Sequence, residues 1–413
     1  MSIAAHPSAA GSGAPVFISR QPVLDDQRRV TGYRVSYALE HLVLDPTAPP
    51  ATAEGTATRL FGDIVSIVGL EELVGDALAY LPISRELLAT LGVPPVRPDR
   101  VVLRVAHTLA VDPSLRSILE ALCSRGYSLS LYDLPGPELD DELLGLFGIV
   151  EFEVSAWEPP ALIAAVAAVS AERALPMACG LSTSEDYERA KLIGFGLFAG
   201  PFFASPRTTE VRDVPVGALN TLSAAAQVQG SGSIDELERI IDRDLGLSVK
   251  LLRYINSAYF GMASKITSIR QAVMMLGARG VSRWALMVAI TGGTAAPREL
   301  SVMALTRARM CELLAAGQPE VIPDEMFLIG LLSLADALLD TPLDRVLEEL
   351  PLADTTVQAL LERSGVAGAI LDAVTNYEIG SFESESVQAY GTDLARAYVD
   401  ALRWARDTIG GLA

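Results

Sequence analysis

Three histidines (His6, His41 and His107) and three cysteines (Cys123, Cys179 and Cys311) are all the imidazole and thiol that the 413 residues supply. Beyond position 107 no histidine occurs, so His-based metal sites and His-activated nucleophiles are out of reach for most of the chain. The cysteines are scattered and odd in number, which fits neither a disulfide framework nor a zinc site. What remains is the chemistry of carboxylates and guanidinium groups. The run GFGLFAGPFFASP, residues 194–206, alternates like a strand and ends in glycine, proline and small residues. Such an ending can deliver a ligand-binding rim to the mouth of a barrel, and an active site there needs acids on the neighbouring strand ends.

The elements that must position those acids alternate along the first half. VFIS and VTGYRVSYA read as two strands joined by the polar link RQPVLDDQRR. Helical stretches then separate ALAYLPI, RVVLRV, YSLSLY, FGIVEFEV, LPMAC and FGLFAGPFFA. Continuous β-rich runs between helices mark buried parallel strands, so an eight-stranded β/α barrel is predicted, its first pair antiparallel. Beyond about residue 207 the pattern is helical throughout. SIDE places a capping box at Ser233 and Glu236, and SIRQ repeats it at Ser268 and Gln271. Gly246 reads as a helix stop and Ser248 as the next cap. About eight to ten helices are expected. The boundaries predicted are a disordered tail over 1–15, a barrel over 16–210 and a helical domain over 211–410.

The net charge of −19 argues against nucleic acid as a partner, because neutralising phosphates needs clustered Lys and Arg. No apolar run reaches the ~20 residues of a membrane span, and the start MSIAAHPSAAGSGAP has no basic region and no compact apolar segment. A cytoplasmic protein without a membrane span is expected. Met274, Met275 and Met287 stand at helical spacing and read as core, as do Tyr259 and Phe260. Asn256 reads as a turn-closing residue, and NYEIGSFESES (376–386) as a solvated acidic loop.

INSAYFGMASKITSIRQAVMMLGARGVSRWALMVAI (255–290) and EMFLIGLLSLADALLDTPLDRVLEELPL (325–352) resemble the signature of HDOD domains, helical modules related to HD phosphohydrolases. The barrel resembles the EAL domain of cyclic di-GMP phosphodiesterases, and the domain order resembles bacterial two-domain EAL–HDOD signalling proteins. The resemblance implies an α/β plus all-α chain, a TIM-type EAL-like β/α barrel followed by a helical HDOD domain. An EAL enzyme holds two metal ions with Glu, Asn and Asp at the strand ends and uses a lysine and a further glutamate. At the matching positions stand Arg34 and Arg104 for two glutamates, Pro82 for the asparagine, and Tyr132 with Asp133 for the acidic pair. Glu151 replaces the lysine, Glu153 is the next acid, Cys179 and Ser182 replace late glutamates, and Ala199 replaces a glutamine. Gly200, Phe203 and Pro206 keep the frame.

The expectation is a non-catalytic chain with no catalytic residues, no metal site and no cofactor, acting as a scaffold for other signalling proteins. Arg34 and Arg104 are the candidate anion or nucleotide contacts, because guanidinium forks match phosphate oxygens. Against that, they can pair with Glu151, Glu153 or Asp133 inside the mouth. A sensor that binds cyclic di-GMP or GTP without cleaving it is the alternative, and residual phosphodiesterase activity the weaker one. The sequence carries no heptad pattern, and oligomeric state is left open.

Overall fold

The computed structural model describes residues 16–39, 69–136, 141–204, 221–225, 239–241, 244–256, 260, 265–291 and 297–412. The tail over 1–15, the junction near 210 and the Ser233–Glu236 box lie outside them. Eight strands close a barrel in sequence order: β1 (Val16–Leu24), β2 (Val30–Leu39), β3 (Leu78–Pro82), β4 (Val101–Ala106), β5 (Ser128–Tyr132), β6 (Ile149–Glu153), β7 (Leu175–Cys179) and β8 (Leu197–Ala199). β1 runs antiparallel to β2 and β8, and all other neighbours are parallel. The predicted link after VFIS is shorter than the sequence suggested. Gln21–Leu24 still alternates and pairs as strand, leaving a tight turn in which Asp25 accepts from the amides of Gln27 and Arg29.

Successive strand residues point to opposite sides. One side of each strand, with Ile18, Val35, Leu81, Leu103, Leu131 and Phe152, enters the main core. The alternate residues, Val23, Tyr80, Val102, Met177, Leu197 and Ala199, form a separate buried cluster that plugs the barrel interior. The rim glycine is demanded by sterics. A Cβ at Gly200 (φ +151°) would collide with the backbone of Leu181, and Phe202 then stacks on Tyr187 at 4.9 Å.

The remaining described elements are helices, from Leu245–Ile255 to Thr392–Leu412. Two expectations fail at the first of them. Asp244 caps it by accepting from the Leu247 amide at 3.1 Å, so Gly246 lies inside the helix. Ser248 also lies inside, its hydroxyl donating back to the Ile241 carbonyl. Asp244 provides a cap one turn earlier, and a carboxylate there also suits the helix dipole. Ser268 does cap as expected, accepting from the Gln271 amide at 3.2 Å. Asn256 closes its turn through Leu252 and Ile266, with the Ile266 amide donating back.

The helix Ile269–Thr291 is long and apolar enough to meet the length and hydropathy criterion for a membrane span, which the sequence reading did not foresee. It holds Arg270, Arg279 and Arg283, breaks at Gly277 (φ 69°, ψ 172°), and buries Trp284 and Met287 against other helices. Met274 and Met275 are exposed rather than core, at 72% and 54%. The break at Gly277 resets the helical phase, so spacing counted across it does not predict a shared face.

The barrel and the helices meet along β1. Among the described residues, β1 pairs with β8 at Val23 and Leu24 alone, and the edge from Val16 to Gln21 has no strand partner on that side. Two tyrosines take the place of a strand. The Tyr377 hydroxyl accepts from the Ile18 amide (3.0 Å) and donates to the Ile18 carbonyl (2.9 Å), and Tyr398 accepts from the Arg20 amide (3.2 Å). Phe17 packs against Tyr377 and Phe382 at 6.1 and 6.0 Å. The 376–386 stretch is therefore a buried junction at Tyr377 and Phe382, not a solvated loop. Replacing Tyr377 by Phe keeps the volume but orphans a buried amide and carbonyl. The expected loss is about 2–4 kcal/mol, read from urea unfolding together with faster amide exchange at Ile18. A change below about 0.5 kcal/mol would show that the hydroxyl contributes nothing to the edge.

Candidate functional site

Above the apolar plug lies a polar layer, built because four strands bring their inward positions to nearly one height. Arg104 on β4 pairs in register with Ser130 on β5, and Glu151 lies two residues beyond Ile149, the β6 partner of Ser130. Arg34 enters from β2, beside Gln21 of β1. Glu151 is the centre of the layer and only 3% exposed. Arg104 grips it as a fork, Nε to Oε1 and Nη2 to Oε2, both at 2.8 Å. The Ser130 hydroxyl donates to Oε1 at 2.8 Å, and the Cys179 thiol to Oε2 at 3.9 Å. Arg34 Nε stands 3.5 Å from Oε2 without hydrogen-bond geometry, and its Nη1 reaches Gln21 at 3.4 Å. The Arg104 guanidinium lies over the Tyr132 ring at 4.5 Å.

The electrostatics follow from this arrangement. Burial alone would raise the Glu151 carboxyl. Arg104 and Arg34, with the hydrogen bonds from Arg104 and Ser130, outweigh that and hold it below the ordinary carboxylate value. Burial, reinforced by Glu151 against the two arginines, pushes the Cys179 thiol up to about 12, so it is no thiolate nucleophile near neutrality. Hard divalent ions require several oxygen ligands. The layer offers one carboxylate, already bound by a guanidinium fork and a hydroxyl, beside two cations. Such a donor set does not fit a pair of metal ions. Among the described residues, no three His, Cys, Asp or Glu side chains cluster as a metal site.

The residues singled out from sequence divide into two groups. Arg34, Arg104, Glu151, Tyr132 and Cys179 come together in or beside the layer. Asp133 and Glu153 are exposed, Asp133 on a left-handed backbone (φ 60°), and neither pairs with the arginines at ion-pair distance. Ala199 belongs to the plug, His107 is half-buried at a helix start, and Pro206 lies outside the described residues. Sequence reasoning missed Gln21 and Ser130. Strand alternation could have found Ser130, two residues before Tyr132 on the same side.

The second half of the chain carries a matching signature. Residues 218–341 match the HDOD domain family. The architecture is a closed eight-stranded barrel with some likeness to EAL domains, followed by a helical region that carries the HDOD match. Two relatives share this length. The uncharacterized protein YuxH of Bacillus subtilis is 26% identical, over 95% of this chain and 98% of that protein. The cyclic di-GMP phosphodiesterase CdgJ of Vibrio cholerae is 26% identical, over 95% of this chain and 92% of that one. Solved structures with some likeness include the PaMucR phosphodiesterase in complex with c-di-GMP, at 14% identity and a TM-score of 0.38, covering 45% of this chain and 94% of that one. The B. subtilis YkuI protein, with an EAL domain, matches at 14% identity and 0.36, covering 64% and 72%.

Proposed function

We propose that this chain is a cyclic di-GMP signalling protein that does not hydrolyse the dinucleotide and acts as a scaffold for other signalling proteins. Its likeness to CdgJ along nearly the whole length supports the signalling context. The observation that carries the absence of catalysis is the Arg104–Glu151–Arg34 cluster in the barrel mouth. A dication held about 4 Å from an arginine is repelled by about 8 kcal/mol at an effective dielectric near 20, and two arginines face the same layer. Glu151, where the resemblance places a lysine, has its charge spent on Arg104. The helical domain then presents surface to partners, and without a histidine in residues 218–341 it lacks the ligands of an HD-type metal site.

The test is hydrolysis of cyclic di-GMP by the full chain with Mg²⁺ or Mn²⁺. No turnover above buffer is expected. Sustained turnover that disappears on changing Asp133, Glu151 or Glu153 would reverse the reading. Arg34 supports a second reading, a sensor that binds cyclic di-GMP or GTP uncleaved, because its buried Nε has no hydrogen-bond partner. Calorimetric titration of either nucleotide, with Arg34→Gln as the comparison, separates sensor from scaffold. Affinity capture with and without cyclic di-GMP then identifies which proteins the scaffold joins.

A further inference from the structure

Away from the mouth, a crevice of about 620 Å³ opens between the barrel and the helical domain. Its barrel wall is the β1–β2 turn and the start of β3, with Arg28, Arg29, Val30 and Ala77. Val30 and Ala77 lie at or just before the first residues of β2 and β3, so the crevice sits at the barrel end opposite the polar layer. Its helical wall is the start of Arg298–Ala315 together with Arg406 of the last helix.

The lining is basic in a chain whose net charge is −19. Among the described residues, the lining holds Arg20, Arg28, Arg29, Arg298 and Arg406 with two carboxylates, Asp76 and Glu299. Glu299 is fully engaged by Arg20 and by the Tyr33 hydroxyl, at 2.9 and 2.7 Å. Arg28 lies on Tyr187 with Glu188 at 3.4 Å, and Arg29 holds Asp25 through an exposed pair that contributes little. Among the described residues, Arg298 and Arg406 have no carboxylate within ion-pair distance. Arg406 instead donates to the carbonyls of Glu71 and Glu72. Burial, with Arg20 beside it, lowers the Arg406 guanidinium from its usual value. The helix Arg298–Ala315 begins at Pro297 without a side-chain cap, and Pro297 lines the same crevice.

We infer that this crevice is a binding site for a small oligophosphate-bearing ligand that bridges the two domains. Guanidinium groups from both walls suit phosphate oxygens, and the uncapped helix start adds amide donors to the same field. The volume lies in the range of small-molecule sites. A ligand held by Arg28 and Arg29 on one side and by Arg298 and Arg406 on the other stabilises the junction by mass action.

The experiment is isothermal calorimetry of the full chain with sodium tripolyphosphate at low salt, backed by thermal melting. One site with micromolar affinity is expected, weakening as salt is raised and raising the melting temperature. Arg298→Gln, at an exposed residue with no partner among the described residues, is expected to weaken binding about tenfold. Arg406→Gln should do the same, while Arg345→Gln on a remote helix leaves affinity unchanged. No binding by 1 mM tripolyphosphate to folded protein would overturn the inference. So would binding indifferent to both Arg298→Gln and Arg406→Gln, or capture of an acidic peptide by a chain that ignores tripolyphosphate.

Discussion

Replacing Glu151 by Gln is expected to destabilise the barrel by about 3–5 kcal/mol, because removing one partner of a buried ion pair leaves the others uncompensated. Arg104 is 7% exposed and spends its fork on Glu151, and among the described residues Arg34 has Gln21 as its other side-chain hydrogen-bond partner. In a domain of this size the loss corresponds to a fall on the order of 10 °C in melting temperature. The pH dependence carries a sign. The Glu151 carboxyl titrates lower in the folded chain than in the unfolded one. Its stabilisation is therefore complete above the unfolded value of about 4.3 and is lost as pH falls through the lower folded value. The gap between wild type and Glu151→Gln should stay flat from neutral pH down to about 5 and narrow only in stronger acid. Replacing Arg34, Arg104 and Glu151 together with apolar residues should be near neutral, since no charge is left buried alone. A urea midpoint for Glu151→Gln within error of wild type would contradict the account.

The second large effect is expected at Glu299, which joins the two halves of the molecule. From the helix Arg298–Ala315 it holds Arg20 of β1 and the hydroxyl of Tyr33 on β2. The Arg20 and Glu299 side chains are 4% and 8% exposed, and Arg20 also lies 4.0 Å over the Tyr33 ring. Glu299→Ala leaves Arg20 with the Leu73 carbonyl as its remaining side-chain acceptor and strips Tyr33 of its own. The expected cost is about 3–5 kcal/mol. Because the loss falls between domains, calorimetry should show the barrel and helical transitions drawing apart. Glu348→Gln, in a pair with Arg345 whose side chains are 60% and 63% exposed, should cost under about 1 kcal/mol and serves as the control. Equal melting behaviour of Glu299→Ala and Glu348→Gln would refute the junction's role.

The barrel was legible because its strands are short β-rich runs separated by helical ones, and the antiparallel first pair followed from the short polar link. Arg34, Arg104 and Glu151 were legible as a group because each stands on a strand at a position the EAL resemblance singles out. The choice of Glu151 over Asp133 or Glu153 as partner was not, since it depends on which strand faces point inward at one height. The domain junction was hidden for a different reason. Tyr377 lies 359 residues from Ile18 and Glu299 lies 279 from Arg20, and no local pattern encodes contacts at that separation. The acidic composition around Tyr377 even pointed toward solvent. The errors at Gly246, Ser248, Met274 and Met275 share a cause: local rules were applied where Asp244 provides an earlier cap or where Gly277 breaks the helical phase.

The arrangement around Glu151 also constrains how this barrel can change over generations. At the three positions compared, the charge sign is opposite to the one the EAL resemblance calls for: cations where glutamates are expected and an anion where a lysine is expected. Changing Arg104 alone to Glu would put two carboxylates into one buried layer, and changing Glu151 alone to Lys would gather three cations there. Each single step passes through a destabilised chain, and only concerted replacement avoids it. Under the proposed non-catalytic reading, the inverted set resists single-residue reversal through stability rather than through any demand on activity.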